Sequence, residues 1–496
     1  MKFKFYVTTA IDYTNSKPHL GHAYEKIIAD VIARWYRIKG EDVFFLIGTD
    51  EHGQKVERAA IAAGKTPKEF VDELVKFFKE LYEKLNISYD DFIRTTEDRH
   101  IKIAKDIFKK VFDKGEIYKG FYEGLYCVSC EAFYTEKNAI NGKCPIHKTE
   151  LELIKEESYF FKLGKYQKTI IEHIKNNKDF IIPEQRRNEI LSRLKEPLKD
   201  LSVSRCSFKW GIPLPIEEKH VIYVWFDALL NYISALDYPN EKYKKYWPAD
   251  VQLIGKDISW FHTVIWPAIL LSSDIELPKT IFIHGFVNIG GEKLSKTRKI
   301  VVDPFELSDK YGSDALRYFL IREIPSGQDG DFSEEALINR INAELADSLG
   351  NLVNRVLVLV EKNFDGFVPI SREKDELTKL ALNIVKAVSE SIEEFRFHSV
   401  LNDIFFLVNE SNKYINENKP WEIEDKEKLG GILYNLLESL RFISILIYPF
   451  MPETATKIKK QLGLEREFSF DDLKWGLLKQ GTKIKREKIL FEKIKI

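Results

Sequence analysis

Apolar positions change their period twice within the first fifty residues. Residues 3–9 form an apolar, β-rich run, and residues 10–18 carry turn formers. Ile27, Ile28, Val31, Ile32, Trp35 and Tyr36 then recur at helical spacing up to Gly40. Residues 42–47 read as a buried strand. Strand, helix and strand in this succession predict a right-handed unit of a doubly wound parallel sheet, where ligands bind beyond the carboxyl ends of the strands. The loops after Thr9 and Ile47 are therefore the places to look for chemistry. A similar alternation returns at 251–254, 258–273 and 280–284, so the sheet is expected to be interrupted and resumed.

The intervening stretch, residues 115–220, contains all four cysteines, several Pro and Gly, and little periodicity, and reads as an insertion. From residue 334 onward the pattern is almost purely helical. Leu345, Leu349, Leu352, Val356 and Val360 share one face, and further amphipathic segments cover 376–397, 399–416, 429–447 and 453–462. Short links between such helices favour an antiparallel bundle. The final stretch, 474–496, has eight Lys/Arg against two Glu alternating with apolar residues, and is expected to be a strand or arm packing back on the body.

Composition narrows the class. A chain of 496 residues predicts about three structural units, and 44% apolar residues suffice for large cores. The formal charge of −1 excludes a protein that coats nucleic acid through bulk positive charge, so a nucleic-acid partner must be held by local patches. Four cysteines exclude a disulfide scaffold, and the first residues lack the apolar core and cleavage site of a secretory leader, so a cytoplasmic address is expected. The longest apolar runs are short, as at 264–271 around Pro267, and no membrane span is expected.

His19-Leu20-Gly21-His22 falls where the first loop meets the first helix. Backbone N–H groups at a helix start favour an anion, Gly21 allows close approach, and two imidazoles can donate to phosphate oxygens, which makes a triphosphate cradle. Alone, the same four residues are equally a solvated helix start. Their partner is Lys293-Leu294-Ser295-Lys296-Thr297, preceded by Gly290-Gly291. Two lysines on a loop can close over a leaving pyrophosphate as charge builds in the transition state. Alone, they would be a surface hairpin. A second local signal is Cys127-x2-Cys130-x13-Cys144-x2-His147, whose spacing places three thiolates and an imidazole around a structural zinc. Cys206 stands outside this set and is expected to be buried and inert.

The ordered pair, His-x-Gly-His after the first strand and Lys-x-Ser-Lys after the last, resembles class I aminoacyl-tRNA synthetases, whose signature motifs have this form. Leu294 and Thr297 replace the usual Met and Ser of the second motif. Within that class the chain is similar to the methionyl-tRNA synthetases over almost its whole length. The resemblance is carried by Gly48-Thr49-Asp50-Glu51-His52-Gly53, Tyr223-Val224-Trp225-Phe226-Asp227-Ala228, Gly255-Lys256-Asp257-Ile258, and Asn412-Lys413-Tyr414 through Lys419-Pro420-Trp421. It implies an α/β fold, a doubly wound (Rossmann-type) parallel sheet split by a zinc-bearing connective insertion and followed by an α-helical anticodon-binding bundle. The expected boundaries are 1–114 and 223–290 for the two halves of the catalytic domain, 115–222 for the insertion, 291–335 for the lysine loop and linker, 336–470 for the bundle and 471–496 for the tail.

The resemblance also implies roles. His19, His22, Lys293 and Lys296 are the expected catalytic residues; His19, Gly21, His22, Glu25, Gly255, Asp257 and Lys296 the ATP-binding ones. A methionine pocket is expected from Ala10, Ile11, Tyr13, Asp50, Trp225, Ala228, Tyr232, Ile258 and His262, with Asp50 facing the α-ammonium. Trp225, Ala228 and Tyr232 fit one helical face by spacing, although composition alone reads them as core, and Asp50 alone could cap a loop. Asn351, Arg355 and Trp421 correspond to the family's anticodon readers; from the residues alone, Trp421 could be a hydrophobic staple and Arg355 a surface charge. Cys127, Cys130, Cys144 and His147 make one zinc knuckle. The expected reaction is ligation of methionine to tRNA(Met), initiator included, using Mg-ATP, by a monomer. Competing readings are a synthetase for Leu, Val or Cys, a cofactor-making nucleotidyltransferase, and a non-catalytic zinc-knuckle RNA-binding protein.

Overall fold

The computed structural model describes residues 3–128, 132–134, 139, 141–146, 148–289, 292–293, 302–370 and 375–495. Its centre is a parallel sheet built from β1 (Lys4–Thr9), β2 (Asp42–Asp50), β3 (Asp91–Arg94), β4 (Ile181–Ile182), β5 (Val251–Gly255) and β6 (Thr280–His284). Their spatial order is β3-β2-β1-β5-β6-β4. The order reverses between β1 and β5, so the crevice beyond their carboxyl ends is a topological switch point.

Beyond Thr9 the chain slips by one residue against β2: Thr8 pairs with Leu46 but Asp12 pairs with Thr49. The extra residue, at Ala10 and Ile11, lies at the mouth of that crevice. Helix α1 (Leu20–Ile38) follows and runs back along the sheet, burying Ile27, Ile28, Val31, Ile32 and Trp35, the residues whose spacing predicts it.

The stretch between the sheet halves is mixed. Ile117–Cys127, Ala132–Tyr134, Glu152–Phe161 and Leu201–Ser202 form a separate, antiparallel sheet. Ile181 and Ile182, by contrast, belong to the parallel sheet as its edge strand beside β6. A two-residue strand has too little periodicity to be seen in the sequence.

The second half holds α2 (Ser313–Glu323), α3 (Asn351–Phe364), α4 (Phe397–Asn418) and α5 (Lys426–Ile447), with Glu376–Glu393 between α3 and α4 and Pro452–Gln461 after α5. Leu345, Leu349, Leu352, Val356 and Val360 are all fully buried, and one apolar core runs without a break from α1 through α2 into this bundle. Helix α5 is long and apolar enough to span a membrane, yet 94% of its most apolar stretch is buried by its neighbours. Glu438 and Arg441 stand within this apolar stretch. In the fold they pair at 2.7 Å, and Glu438 also accepts from Gly476 N and Leu478 N of the tail.

The tail is an arm rather than a strand. Gly481, Thr482 and Ile484 exchange backbone hydrogen bonds with Gly366 and Val368, and Asn342 pairs with both backbone groups of Ile494. Two of its cations are neutralised on the body, Arg486 by Glu361 at 2.9 Å and Lys493 by Asp347 at 2.8 Å.

Candidate active site

The crevice at the switch point is entered by the start of α1. His19 is its N-cap: Nδ1 accepts from Gly21 N at 3.1 Å, and His22 Nδ1 accepts from His19 N at 3.1 Å. Two imidazoles thus make the reciprocal cap that Ser and Glu usually form, with rings stacked 3.8 Å apart. Because each Nδ1 accepts, the neutral rings carry their protons on Nε2. A Cβ on residue 21 would lie 2.9 Å from His19 Cε1, so glycine is what lets that ring fold over the helix end. An anion arriving here meets imidazole Nε2–H donors together with the positive end of the helix dipole.

Directly behind lies a buried charge cluster. Lys26, with no exposed surface, donates to Asp12 Oδ1 at 2.6 Å, Glu25 Oε1 at 2.7 Å and Ala10 O at 3.0 Å. Tyr82 donates its hydroxyl to Asp12 Oδ2 at 2.5 Å, and Glu25 Oε2 faces His284 Nε2 at 3.0 Å. His284 Nδ1 lies 2.7 Å from Gly285 O, which can only accept, so Nδ1 carries a proton. The contact to Glu25 then requires a second proton between ring and carboxylate. Burial pushes the Asp12 carboxyl up to about 6 against the pull of Lys26. Burial also acts to raise Glu25, but Lys26 and His284 hold it below its usual value. Both Glu25 oxygens are therefore engaged within the protein. The cluster pins Ala10 and Asp12, the slipped end of β1, to α1.

On the other side of the crevice, Trp225 stacks on Phe261 with ring centres 3.9 Å apart, and its edge approaches His262. His262 Nδ1 lies 3.1 Å from Ile258 O, so this nitrogen is the donor and Nε2 accepts from Tyr232 Oη at 2.7 Å. Burial lowers the His262 pKa to about 4, which keeps the ring neutral. Phe261–Ile265 is one turn of π-helix, a wider turn than the α-helix that the sequence predicts there. Trp225 and Tyr232 likewise lie on two short helices, Val224–Ala228 and Asn231–Ser234, with a turn at Leu229 and Leu230. Ala228 is buried, and its carbonyl accepts from Asn231 Nδ2 at 2.7 Å, bridging that turn. His262 is thus the common neighbour of Trp225, Tyr232 and Ile258. Tyr13 is the register partner of Asp50, and a Cβ on Gly48 would lie 3.0 Å from Ile11. Asp50 is buried, at the carboxyl end of β2.

Gly255 ends β5, and Asp257 sits exposed on the next turn, Lys256–Ile258. A Cβ on residue 255 would lie 2.9 Å from Asp257 Oδ1. Lys256 pairs with Asp329 at 2.5 Å, tying this loop to the linker. Lys293 is in a short strand paired with Asn288; Gly290, Gly291 and Lys296 lie outside the described residues.

Comparison with known proteins agrees with this architecture. The class I tRNA synthetase (M) family model matches residues 5–152 and 140–357, and an anticodon-binding domain of tRNA ligase matches 376–492. The methionine–tRNA ligase of Caldanaerobacter subterraneus subsp. tengcongensis is 49% identical over 100% of this chain and 80% of its own length. That of Thermotoga maritima is 44% identical over 99% and 80%. The chain belongs to the methionine–tRNA ligases. Among solved structures, Mycobacterium tuberculosis methionyl-tRNA synthetase in complex with methionyl-adenylate superposes with a TM-score of 0.96 at 42% identity, covering 99% of this chain and 100% of that one.

Two further sets lie away from the crevice. Cys127 and Cys144 are both fully buried. Cys127 Sγ is 3.8 Å from Thr149 Oγ1, and Thr149 O accepts from Cys144 N, so one residue bridges the two turns. Cys130 and His147 lie outside the described residues. Cys206 is exposed, contrary to expectation, with Sγ 3.6 Å from Glu157 O; its strand ends one residue earlier, at Arg205, and the buried run from Ser202 to Arg205 stops there. In the bundle, the Arg355 guanidinium lies 5.9 Å over the Trp421 ring and donates to Asn416 Oδ1 at 2.8 Å. Trp421 is 53% exposed, which removes the staple reading, and Asn351 is exposed at the start of α3.

Sequence reasoning assigned no role to Phe261, Lys26 or Asp227. Asp227 is fully buried, with its two oxygens 2.7 Å from His52 Nδ1 and 2.6 Å from His100 Nε2. Burial alone would raise its pKa; attraction to His52 and hydrogen bonds from both rings hold it below the usual carboxylate value. Asp227 and His52 sit inside the family-like stretches, which was the available signal. Phe261 had none, because its position depends on the π-turn.

Proposed function

We propose that the chain ligates methionine to tRNA in two steps at the switch-point crevice, with side chains in the following roles. The carrying observation is a half-buried aromatic stack packed beside a buried, neutral tyrosine–histidine pair, in a sheet crevice that also receives an imidazole-capped helix end. A thioether is soft, unbranched and uncharged; Trp225 and Phe261 offer it polarisable surface, while Tyr232 and neutral His262 present a polar end without a charge to desolvate. Asp50 faces the α-ammonium, and Ala10, Ile11, Tyr13, Ala228 and Ile258 complete the walls.

In step one the methionine carboxylate oxygen attacks the α-phosphorus of Mg-ATP in line, and the bond to the pyrophosphate oxygen breaks. His19 and His22 donate from Nε2 to phosphate oxygens, Gly255 and Asp257 approach the ribose, and Lys293 and Lys296 offset the charge that builds on pyrophosphate. Glu25 acts from behind, through Lys26 and His284, by fixing the β1 end. In step two a terminal ribose hydroxyl of tRNA, the 2′-OH in this class, attacks the acyl carbon; AMP leaves with the electron pair of the broken bond, and its phosphate can take up the hydroxyl proton.

Cys127, Cys130, Cys144 and His147 hold one zinc that braces the insertion; the two described thiols, buried and joined through Thr149, fit such a role. Asn351, Arg355 and Trp421 read the anticodon, the exposed indole as a stacking platform backed by the guanidinium. Amino-acid-dependent ATP/pyrophosphate exchange tests the reading. Exchange with methionine and not with leucine, valine or cysteine is expected; a preference for any of these others would overturn it.

A further inference from the structure

A buried charge cluster outside the crevice joins three parts of the molecule. Arg317, on α2, has no exposed surface. Its guanidinium donates to Asp30 Oδ2 on α1 at 2.7 Å, to Leu85 O at 3.0 Å, and to Phe450 O and Pro449 O, just past α5, at 2.9 and 2.7 Å. Asp30 also accepts from Arg34 Nε at 2.7 Å and from Ser88 N at 2.7 Å. Arg34 in turn donates to Tyr448 Oη at 3.0 Å and to Asn86 O at 2.7 Å. Asp314, one helical turn before Arg317, accepts from Thr454 N at 2.6 Å. One carboxylate and two guanidinia thus bind the helix that carries His19 and His22 to the turn that ends α5.

The placement along α5 gives the cluster its meaning. Trp421 and Arg355 lie near the start of α5 and the turn 448–450 at its end. A helix of 22 residues is about 33 Å long, so a tilt of about 5° at one end displaces the other by about 3 Å. Misplacing reacting groups by about 1 Å can cost on the order of 100-fold in rate. A guanidinium suits such a joint: it keeps its charge, its five donors lie in a fixed plane, and the acceptors here come from both sides of the interface. An apolar contact alone would allow sliding.

We propose that Arg317 is a positioning residue that sets the angle between the anticodon-binding bundle and α1, so that a tRNA gripped by its anticodon presents its 3′ end in register with the aminoacyl group. The proposal rests on the tRNA-charging reading above. It separates two reactions that share the crevice: methionine activation needs no lever arm, whereas transfer to tRNA spans it.

The test uses the full chain with Arg317→Met and, as a milder change, Tyr448→Phe, which removes one hydroxyl from the same joint. Expected for Arg317→Met are methionine-dependent ATP/pyrophosphate exchange within about threefold of the parent, tRNA Kd within about threefold, and a single-turnover transfer rate lower by about 10- to 100-fold. Tyr448→Phe should lower transfer by about two- to fivefold, again sparing exchange. Exchange and transfer falling together in both variants would make the cluster merely structural and overturn the proposal, as would unchanged transfer in both. A parent without methionine-dependent exchange would instead overturn the underlying functional reading.

Discussion

Tyr232 donates its hydroxyl to His262 Nε2 at 2.7 Å, while the opposite nitrogen of the same ring is held by Ile258 O. The two bonds fix the tautomer of a ring that burial keeps neutral. Tyr232→Phe leaves that nitrogen unpaired in the pocket. A loss of about 1–3 kcal/mol is expected, or roughly 5- to 150-fold in KM for methionine, with a smaller change in KM for ATP. Steady-state exchange kinetics with each substrate varied in turn would show it; equal shifts in both would contradict the assignment.

His262 also gives stability a pH dependence. Its pKa falls on folding from 6.5 to about 4. Between those values the unfolded chain binds the extra proton, so this contribution is complete above 6.5 and is lost as the pH falls toward 4. The full effect is up to about 3 kcal/mol. Urea denaturation at pH 7.5 and pH 5 should show a larger acid-side loss for the parent than for His262→Gln.

The imidazole cap at α1 separates two functions. His19→Asn keeps a side chain that caps helices well but removes the Nε2 donor. Exchange should drop by about 100- to 1000-fold while the thermal midpoint moves by less than about 3 °C. A collapse of stability with proportionate loss of activity would mean that the cap, and not phosphate binding, is what His19 supplies.

For the knuckle, elemental analysis of metal-replete protein should return one zinc per chain, and Cys127→Ser should lower it to well under half. Protease digestion should then become faster within 115–165 while the bundle stays resistant. Zinc content unaffected by the substitution would exclude Cys127 as a ligand.

Trp421→Ala removes the exposed ring facing Arg355. Base stacking on an aromatic is worth about 1–3 kcal/mol, so kcat/KM for tRNA charging should fall roughly 5- to 150-fold, with the deficit confined to the tRNA-dependent step. The check is charging assayed across tRNA concentrations beside exchange without tRNA.

Much of the fold was legible because local signals agreed. The 3.6-residue stripe of α1, the apolar runs of β1, β5 and β6, and the buried face from Leu345 to Val360 each reappear close to where their spacing puts them. Less legible were features whose cause is non-local. Ile181 and Ile182 are a strand only because the edge of β6 is open to them. The segment 429–447 read as amphipathic, yet its charged Glu438 and Arg441 pair with each other and hold the tail, so that α5 is deeply buried. The basic tail does lie on the body, where Glu361 and Asp347, partners not visible from its own sequence, neutralise part of its charge.

By itself the sequence determined which chemical groups are present and in what order: imidazoles after the first strand, lysines after the last, cysteines at metal spacing and an aromatic-rich pocket segment. Those are properties of residue type and short spacing, which a linear chain carries in full. Tertiary structure alone decided what those groups face. The His19 and His22 rings cap their own helix, Glu25 is held by Lys26 and His284, Trp225 meets Phe261 through a π-turn, and Arg317 finds Asp30 across 287 positions of chain. Hydrogen bonds and buried charges act over a few ångströms of space whatever their separation in sequence, so their partners become known only once the chain is folded.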